Sequence, residues 1–387
     1  MGAEAFASAD LVALVRRVFV PQPDDTGIGI LVDLPDAVAP DHPVWRARRL
    51  MAAEWAARLA EQHAEIGLLT RLLLYRNAHT NNGELPAAGV WIHDSDALPD
   101  TAEALAGVPT VPWTEVFARH SILLAPTQFS ATAPLKVAAR TFAIRAATMP
   151  GFRAEMIPAL RLDYTEINRR VVALAAMLSA AEGADLLFNT PDGEAFLHVD
   201  LRHRSGHASG GLLPEPGTAG NLPSGEAYIV PYEGERPGDP SRTAGVLPVE
   251  CHGEVVRYAI EANRAVGVLP GGPRAAAQAE HLRREPAYGN IAELGLGVLA
   301  AFGVEPIGEI LLDEKLGLHI AFGRSDHFGG QVGPGAFSSP DAVVHIDRVY
   351  VPACQPQVSV ARLELSLPAG ERRTIIEAND YVAGLFD

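Results

Sequence analysis

Ile28-Gly29-Ile30-Leu31-Val32, followed by the long Ala- and Arg-rich periodic segment 42–64 and then by Leu72-Leu73-Leu74-Tyr75, sets the architecture of the first half of the chain. Short apolar runs read as strands, and apolar residues recurring every three or four positions read as a helix. Segments 90–93, 122–125 and 142–146 add further strands, and Thr101 offers a side-chain N-cap for a helix over 101–105. Strands separated by helices call for a parallel sheet, because parallel neighbours need a crossover connection. The expectation is an α/β protein with an N-terminal doubly wound α/β domain.

Further along, 164–181 reads as a helix with Ile167, Val171, Leu174 and Leu178 on one face. Segments 186–189 and 196–201 flank Pro191-Asp192-Gly193 and read as a hairpin. From 203 to 225 the composition shifts to Gly, Pro, Ser and His, which places a domain boundary there and divides the chain into 1–212 and 213–387. The second part, with strands over 226–230, 319–322 and 343–351 and a helix over 275–284, is expected to be an α+β metal-binding domain, with the cleft between the two. The Pro-rich 231–241 reads as an exposed loop.

At 387 residues the chain exceeds the usual size of one hydrophobic core. Charge is 31 basic against 47 acidic residues, −16 in sum, with no Lys/Arg cluster interleaved with aromatics, so nucleic acid is not an expected partner. No run approaches the roughly 18 apolar residues of a membrane span. Met1-Gly2-Ala3-Glu4-Ala5-Phe6 lacks both a secretory n-region and an acylation signal, and a cytoplasmic location is expected. Cys251 and Cys354 cannot build a disulfide framework and have no neighbouring base.

The chemistry concentrates in the second part. Ala342-Val343-Val344-His345-Ile346-Asp347-Arg348-Val349-Tyr350 carries an imidazole and a carboxylate two residues apart on a strand, so both point the same way. His319 sits among apolar residues in Leu318-His319-Ile320-Ala321-Phe322-Gly323, Glu293 in Ala292-Glu293-Leu294-Gly295, and Glu226 in Asn221-Leu222-Pro223-Ser224-Gly225-Glu226. Burying several such groups is costly unless something pairs with them, and a divalent cation can serve them together. The separations match no zinc-finger spacing; His345-x-Asp347 is the strongest local signal.

These segments, with Gly308-Glu309-Ile310-Leu311-Leu312-Asp313-Glu314-Lys315 between them, resemble in content and order the motifs of the aminopeptidase T family of metallopeptidases, over about residues 186–352. The resemblance implies Glu226, Glu293, His319, His345 and Asp347 as ligands of two divalent ions (Zn, Co or Mn), hydrolysis of an amide in a short peptide, and a homodimer. Glu293 is the expected bridge between ions about 3.5–4 Å apart, and Glu314, Asp326 and His327 are candidates for moving protons. The family's tyrosine ligand has no counterpart in Arg324-Ser325-Asp326-His327-Phe328-Gly329-Gly330. A more distant resemblance, to dihydroxypyridine ring-opening dioxygenases, offers the alternative of a single Fe(II) held by His319, His345 and Asp347 as a facial triad acting on a small heteroaromatic molecule. Retention of both Glu226 and Glu293 favours two ions. A structural ion with a closed coordination sphere is the non-catalytic alternative.

Arg202, His207 and Lys315 are candidate substrate-binding residues: Arg as a bidentate carboxylate fork, His207 beside glycines that let backbone approach a site, and Lys315 from its place in the motif. Arg204, Asp24-Asp25 and Glu233-Gly234-Glu235 read as solvent-facing. His79, His93, His120, His252 and His281 read as surface or satisfied core residues. Gly27-Ile28-Gly29 precedes a strand instead of following one and lacks the third glycine, which excludes a dinucleotide fingerprint.

Overall fold

The protein is described here by a computed structural model covering residues 6–92 and 97–387. The readings that fall on His93 and on the first five residues lie outside these. Among the described residues the strands form three sheets, of seven, five and eight strands. The chain divides into two compact units, one running to Thr165 and including Gly211–Ser224, the other comprising Glu166–Gly210 and Gly225–Asp387. A single cut near 212 is therefore replaced by an exchange of segments. Strand pairing explains it: the Gly183–Thr190 and Gly193–Asp200 hairpin pairs with Ser359–Ser366 and Ala244–Cys251, whereas Thr218–Asn221 returns to lie parallel to Arg145–Thr148.

In the first unit the Ile28–Leu34 strand lies between Thr70–Arg76 and Ile122–Ala125 and is parallel to both. Arg145–Thr148 and Thr218–Asn221 extend the parallel part on one side, and Ala88–Ile92 and Val111–Pro112 add antiparallel strands on the other. All seven residues of Ile28–Leu34 are buried, which is why this strand reads as an apolar run without alternation. Its one charge, Asp33, accepts hydrogen bonds from the backbone N–H of Gln128 (2.7 Å) and Phe129 (2.9 Å) and from Trp45 Nε1 (3.2 Å).

Three local expectations change. Phe142 ends the Thr132–Phe142 helix, and the following strand is Arg145–Thr148. Thr101 stands at the cap of a short 3-10 turn, Ala102–Leu105, but its side chain makes no capping bond. Asp25 is not solvated: its carboxylate is 5% exposed, pairs with the buried Arg145 guanidinium and accepts from Ser121 Oγ at 2.6 Å.

The second unit holds the other two sheets. In the five-stranded one the order is His345–Val349, Leu318–Gly323, Ile291–Gly297, Glu226–Ile229, His207–Ser209, antiparallel throughout. One face buries Ala227, Leu294, Leu296, Ile320 and Phe322. Alternation then sends the residues between them to the opposite face. The 231–241 segment is not simply exposed, because Tyr232 is fully buried and the Glu233 side chain is 6% exposed.

Candidate metal centre

That opposite face carries Glu226 and Tyr228 on one strand, Glu293 and Gly295 on the next, then His319 and Ala321, then His345 and Asp347. Cross-strand register puts each of the charged or imidazole groups opposite a small residue: Glu226 faces Gly297, Glu293 faces Ala321, His319 faces Gly295, Asp347 faces Ala321 and His345 faces Gly323. The space is created by missing side chains. A Cβ at Gly295 would lie 1.9 Å from His319 Nε2.

The five residues separated by up to 121 positions in sequence meet here in two groups that share a member: Glu226, Glu293 and His319 in one, Glu293, His345 and Asp347 in the other, with ligand atoms of each group within 4.8 Å of one another. Glu293 divides its carboxylate between them, Oε1 lying 3.2 Å from His319 Nε2 and Oε2 3.4 Å from His345 Nε2. His345 Nε2 is also 3.5 Å from Asp347 Oδ1, and His319 Nε2 3.4 Å from Glu226 Oε2. Both imidazoles donate Nδ1–H to a backbone carbonyl, His319 to Gly317 (3.2 Å) and His345 to Arg324 (2.8 Å), which leaves each Nε2 facing the carboxylates. This is the tautomer and orientation that outer-shell carbonyls impose on metal-binding histidine. Glu226 Oε1 bonds Lys315 Nζ, whereas Oε2 is buried without a hydrogen-bond partner. An orphaned buried carboxylate oxygen aimed at a histidine Nε2 fits a cation between them.

Charge points the same way. Without a cation the carboxylates draw protons onto the imidazoles: burial opposes it, but the bond to Glu293 and the charges of Glu226, Glu293 and Asp347 raise His319 to about 9. His345 is likewise raised well above its ordinary value, against burial, by Asp347 and Glu293. Glu293 and Asp347 are held below the usual carboxylate range, since their imidazole partners outweigh burial. A group raised in the folded state stabilises fully below its unfolded pKa and loses that contribution as pH climbs through the folded one. Chelated protein should therefore lose a few kcal/mol of stability between about pH 6.5 and 9, the span set by His319. A divalent cation held by these imidazoles should restore it increasingly across the same range, because bound cations need neutral imidazole. Melting temperatures with and without chelator at pH 6.5 and 9 check this, and a chelated protein equally stable at both would contradict it.

The remaining candidates separate clearly. Lys315, one of two lysines in the chain, is fully buried between Glu226 and Glu314, so it serves those carboxylates and does not face a substrate. Burial pushes Glu314 up to about 8, with Glu226 and Asp347 adding to the shift and Lys315 opposing it. The Asp326 carboxylate is held by Arg324 Nε at 2.5 Å. His327 lies against Phe328 with ring centres 3.9 Å apart and the planes tilted by 36°, and edge-on to His345 at 5.2 Å; burial pushes it down to about 4. Arg202 is not a substrate fork, because Asp200 takes its Nε (2.9 Å) and Nη2 (2.7 Å), and Asp239 its Nη1 (2.8 Å). Arg204, expected in solvent, pairs with Glu235 at 2.8 Å and is 11% exposed. His207 is exposed and stacks on Tyr228, ring centres 5.2 Å apart.

Sequence reasoning missed Tyr228 and Glu233. Tyr228 shares the ligand face two residues after Glu226; burial and the nearby charges of Glu293 and Glu226 raise its phenol. The Glu-x-Tyr spacing on a strand was the available signal. Glu233 accepts from Asn290 Nδ2 (2.8 Å), Ser325 Oγ (2.6 Å) and the Gln331 amide, thereby tying down the loop that carries His327 and Phe328. Nothing local in Glu233-Gly234-Glu235 announces this. Glu233→Ala leaves these donors unsatisfied and is expected to cost about 2–3 kcal/mol. Hydrogen exchange over 325–332 should accelerate in that variant; protection equal to the parent's would remove the role.

A mixed α/β chain with a metal-capable carboxylate and imidazole cluster on one sheet is what the structure defines. No protein-family description and no curated protein sequence matches it. Solved structures do: the 2,5-dihydroxypyridine dioxygenase of Pseudomonas putida KT2440 is similar with a TM-score of 0.60 and 16% identity over 97% of this chain and 98% of that one. Wild-type AmpT, an aminopeptidase T, of Thermus thermophilus is similar with a TM-score of 0.52 and 18% identity over 98% and 100%. The two lineages that the motifs resemble thus share this fold.

Proposed function

We propose that the protein is a metal-dependent hydrolase of amide bonds that works with two divalent cations and acts on a short peptide or a small amide. The observation that carries this reading is the divided Glu293 carboxylate, one oxygen toward each imidazole. A bridging carboxylate between two sites has this form. Glu226 and His319 would hold one ion, His345 and Asp347 the other. When bound, such a pair supplies Lewis-acid polarisation of a carbonyl and activation of water.

The chain's own residues do the rest. Glu314, pushed up to about 8 in the metal-free chain chiefly by burial, is the candidate to hand a proton to a leaving amine. Lys315 fixes both Glu226 and Glu314, so the ligand and the proton donor are oriented by one buried ammonium. Tyr228, Phe328 and His327 form an adjoining wall of rings, with Tyr228 and Phe328 centres 4.9 Å apart, suited to an apolar or planar group of the substrate.

The single-iron alternative would need His319, His345 and Asp347 to act as one triad. Among the described residues the imidazoles fall instead into different groups, each completed by Glu293. What supports the alternative is the similarity to the dioxygenase along nearly the whole chain and the missing tyrosine in 324–330. Elemental analysis of anaerobically purified protein, with a panel of amino-acid amides and hydroxypyridines, tests the choice. Two Zn, Co or Mn per chain and amide turnover are expected; one oxygen-sensitive Fe with ring opening would overturn the hydrolase reading.

A further inference from the structure

The first unit contains a cavity of about 330 Å³ lined by Thr26, Leu69, Arg71, Ala118, Arg119 and His120, at the N-terminal ends of the Ile28–Leu34, Thr70–Arg76 and Ile122–Ala125 strands. None of these residues belongs to the metal-capable cluster. One of the lining residues, His120, is a buried imidazole, 3% exposed. Its Nδ1 donates to the Val116 carbonyl at 3.2 Å, so in the neutral ring Nε2 carries a lone pair, and among the described residues that atom has no partner. Burial pushes the imidazole down to about 4, with Arg71 and Arg119 adding to the shift and the Val116 bond opposing it, so the ring stays an acceptor at neutral pH.

Gly27-Ile28-Gly29, which makes no dinucleotide fingerprint, has its structural reason here. A Cβ at Gly27 would lie 3.2 Å from His120 Cδ2 and 2.8 Å from the Arg119 carbonyl, and one at Gly29 3.5 Å from His120 Cβ. Gly27 gives room to the imidazole and the Arg119 carbonyl, whereas the tight neighbour of Gly29 is Leu123 Cδ2, at 2.8 Å from such a Cβ. Trp91 closes the other side, its ring centre 4.5 Å from that of His120, with the Arg71 guanidinium over it at 5.9 Å. Arg71 has no carboxylate partner among the described residues. Among the described residues Arg119 pairs with Glu115 at 3.1 Å, both side chains being exposed.

We propose that this cavity binds a small anion that carries both anionic oxygens and an O–H donor, the chemistry of hydrogen phosphate or of the singly protonated end of a phosphate monoester. Arg71, Arg119 and Thr26, which line the cavity, are the groups available to anionic oxygens, and His120 Nε2 the one available to accept a proton. A volume near the lower end for small-molecule sites leaves room beyond the phosphate for a short organic group against Leu69 and Ala118.

Calorimetric titration of the metal-loaded protein with inorganic phosphate and, separately, sulfate at matched ionic strength near pH 7 tests the site. Saturable phosphate binding is expected to weaken about tenfold or more in Arg71→Gln, a change of one charged hydrogen-bonding group. Glu115→Gln, which frees Arg119, should tighten it. Sulfate, with no proton to give His120, should bind less well than phosphate. Because phosphate also ligates divalent cations, the parent and Arg71→Gln are compared at equal metal loading. Absence of saturable binding, or phosphate affinity in Arg71→Gln equal to the parent's, would overturn the proposal, as would sulfate binding as tightly as phosphate.

Discussion

On the proposed two-ion reading, Glu293→Gln should lower bound metal to at most one ion per chain and reduce amide turnover more than about a hundredfold. Outer-shell partners alone are worth ten- to a hundredfold in metal affinity or activity, and a shared ligand is worth at least that. The reason is geometric. Glu293 presents one oxygen to each imidazole, and an amide keeps only one oxygen and no charge. The same change removes the largest attraction that holds a proton on His319, so the alkaline loss of stability in chelated protein should flatten. That second readout does not depend on catalysis. Two ions retained with full turnover would sink the bridging role.

Gly295→Ala should be nearly as damaging although it adds one methyl group. The new Cβ would lie 1.9 Å from His319 Nε2, 2.2 Å from Cε1 and 2.6 Å from Cδ2. His319 is completely buried on the Leu318–Gly323 strand, between Ile291–Gly297 and His345–Val349. Overpacking of this kind costs about 1–3 kcal/mol, so the chain should still fold while the imidazole is driven from the cluster. We expect an unchanged circular dichroism spectrum and metal affinity at least about a hundredfold weaker. Parent-like affinity in Gly295→Ala would mean that His319 is not a ligand. Glu293→Gln removes a ligand and Gly295→Ala removes only its room, so agreement between them would separate coordination from simple loss of charge.

Much of the secondary structure was legible because its causes are local. Ile122–Ala125 is a continuous apolar run and Ile28–Leu34 one interrupted only by Asp33, both buried throughout, and the Tyr164–Ala180 helix buries Ile167, Val171, Leu174 and Leu178 at helical spacing. His345 and Asp347 share a face because alternate residues of a strand must. Membership of the two units was not legible, because 166–210 and 211–224 are assigned by pairing with strands far away in sequence. The roles of Arg202 and Glu233 were hidden for the same reason. Asn290 and Ser325, which meet Glu233, and Asp239, which joins the neighbouring Asp200 on Arg202, come from other segments, and composition cannot say which charges meet.

By itself the sequence determined the donor types and their spacing along each strand: the acids and imidazoles, the glycines and alanines beside them, and the face on which each must stand. Only the tertiary structure decided that antiparallel register brings Glu226, Glu293, His319, His345 and Asp347 into two groups joined at Glu293, and that Lys315 is enclosed between two carboxylates. Side-chain direction follows from a two-residue period within one strand. Convergence depends on hydrogen-bond register between strands tens of residues apart, which no local pattern fixes.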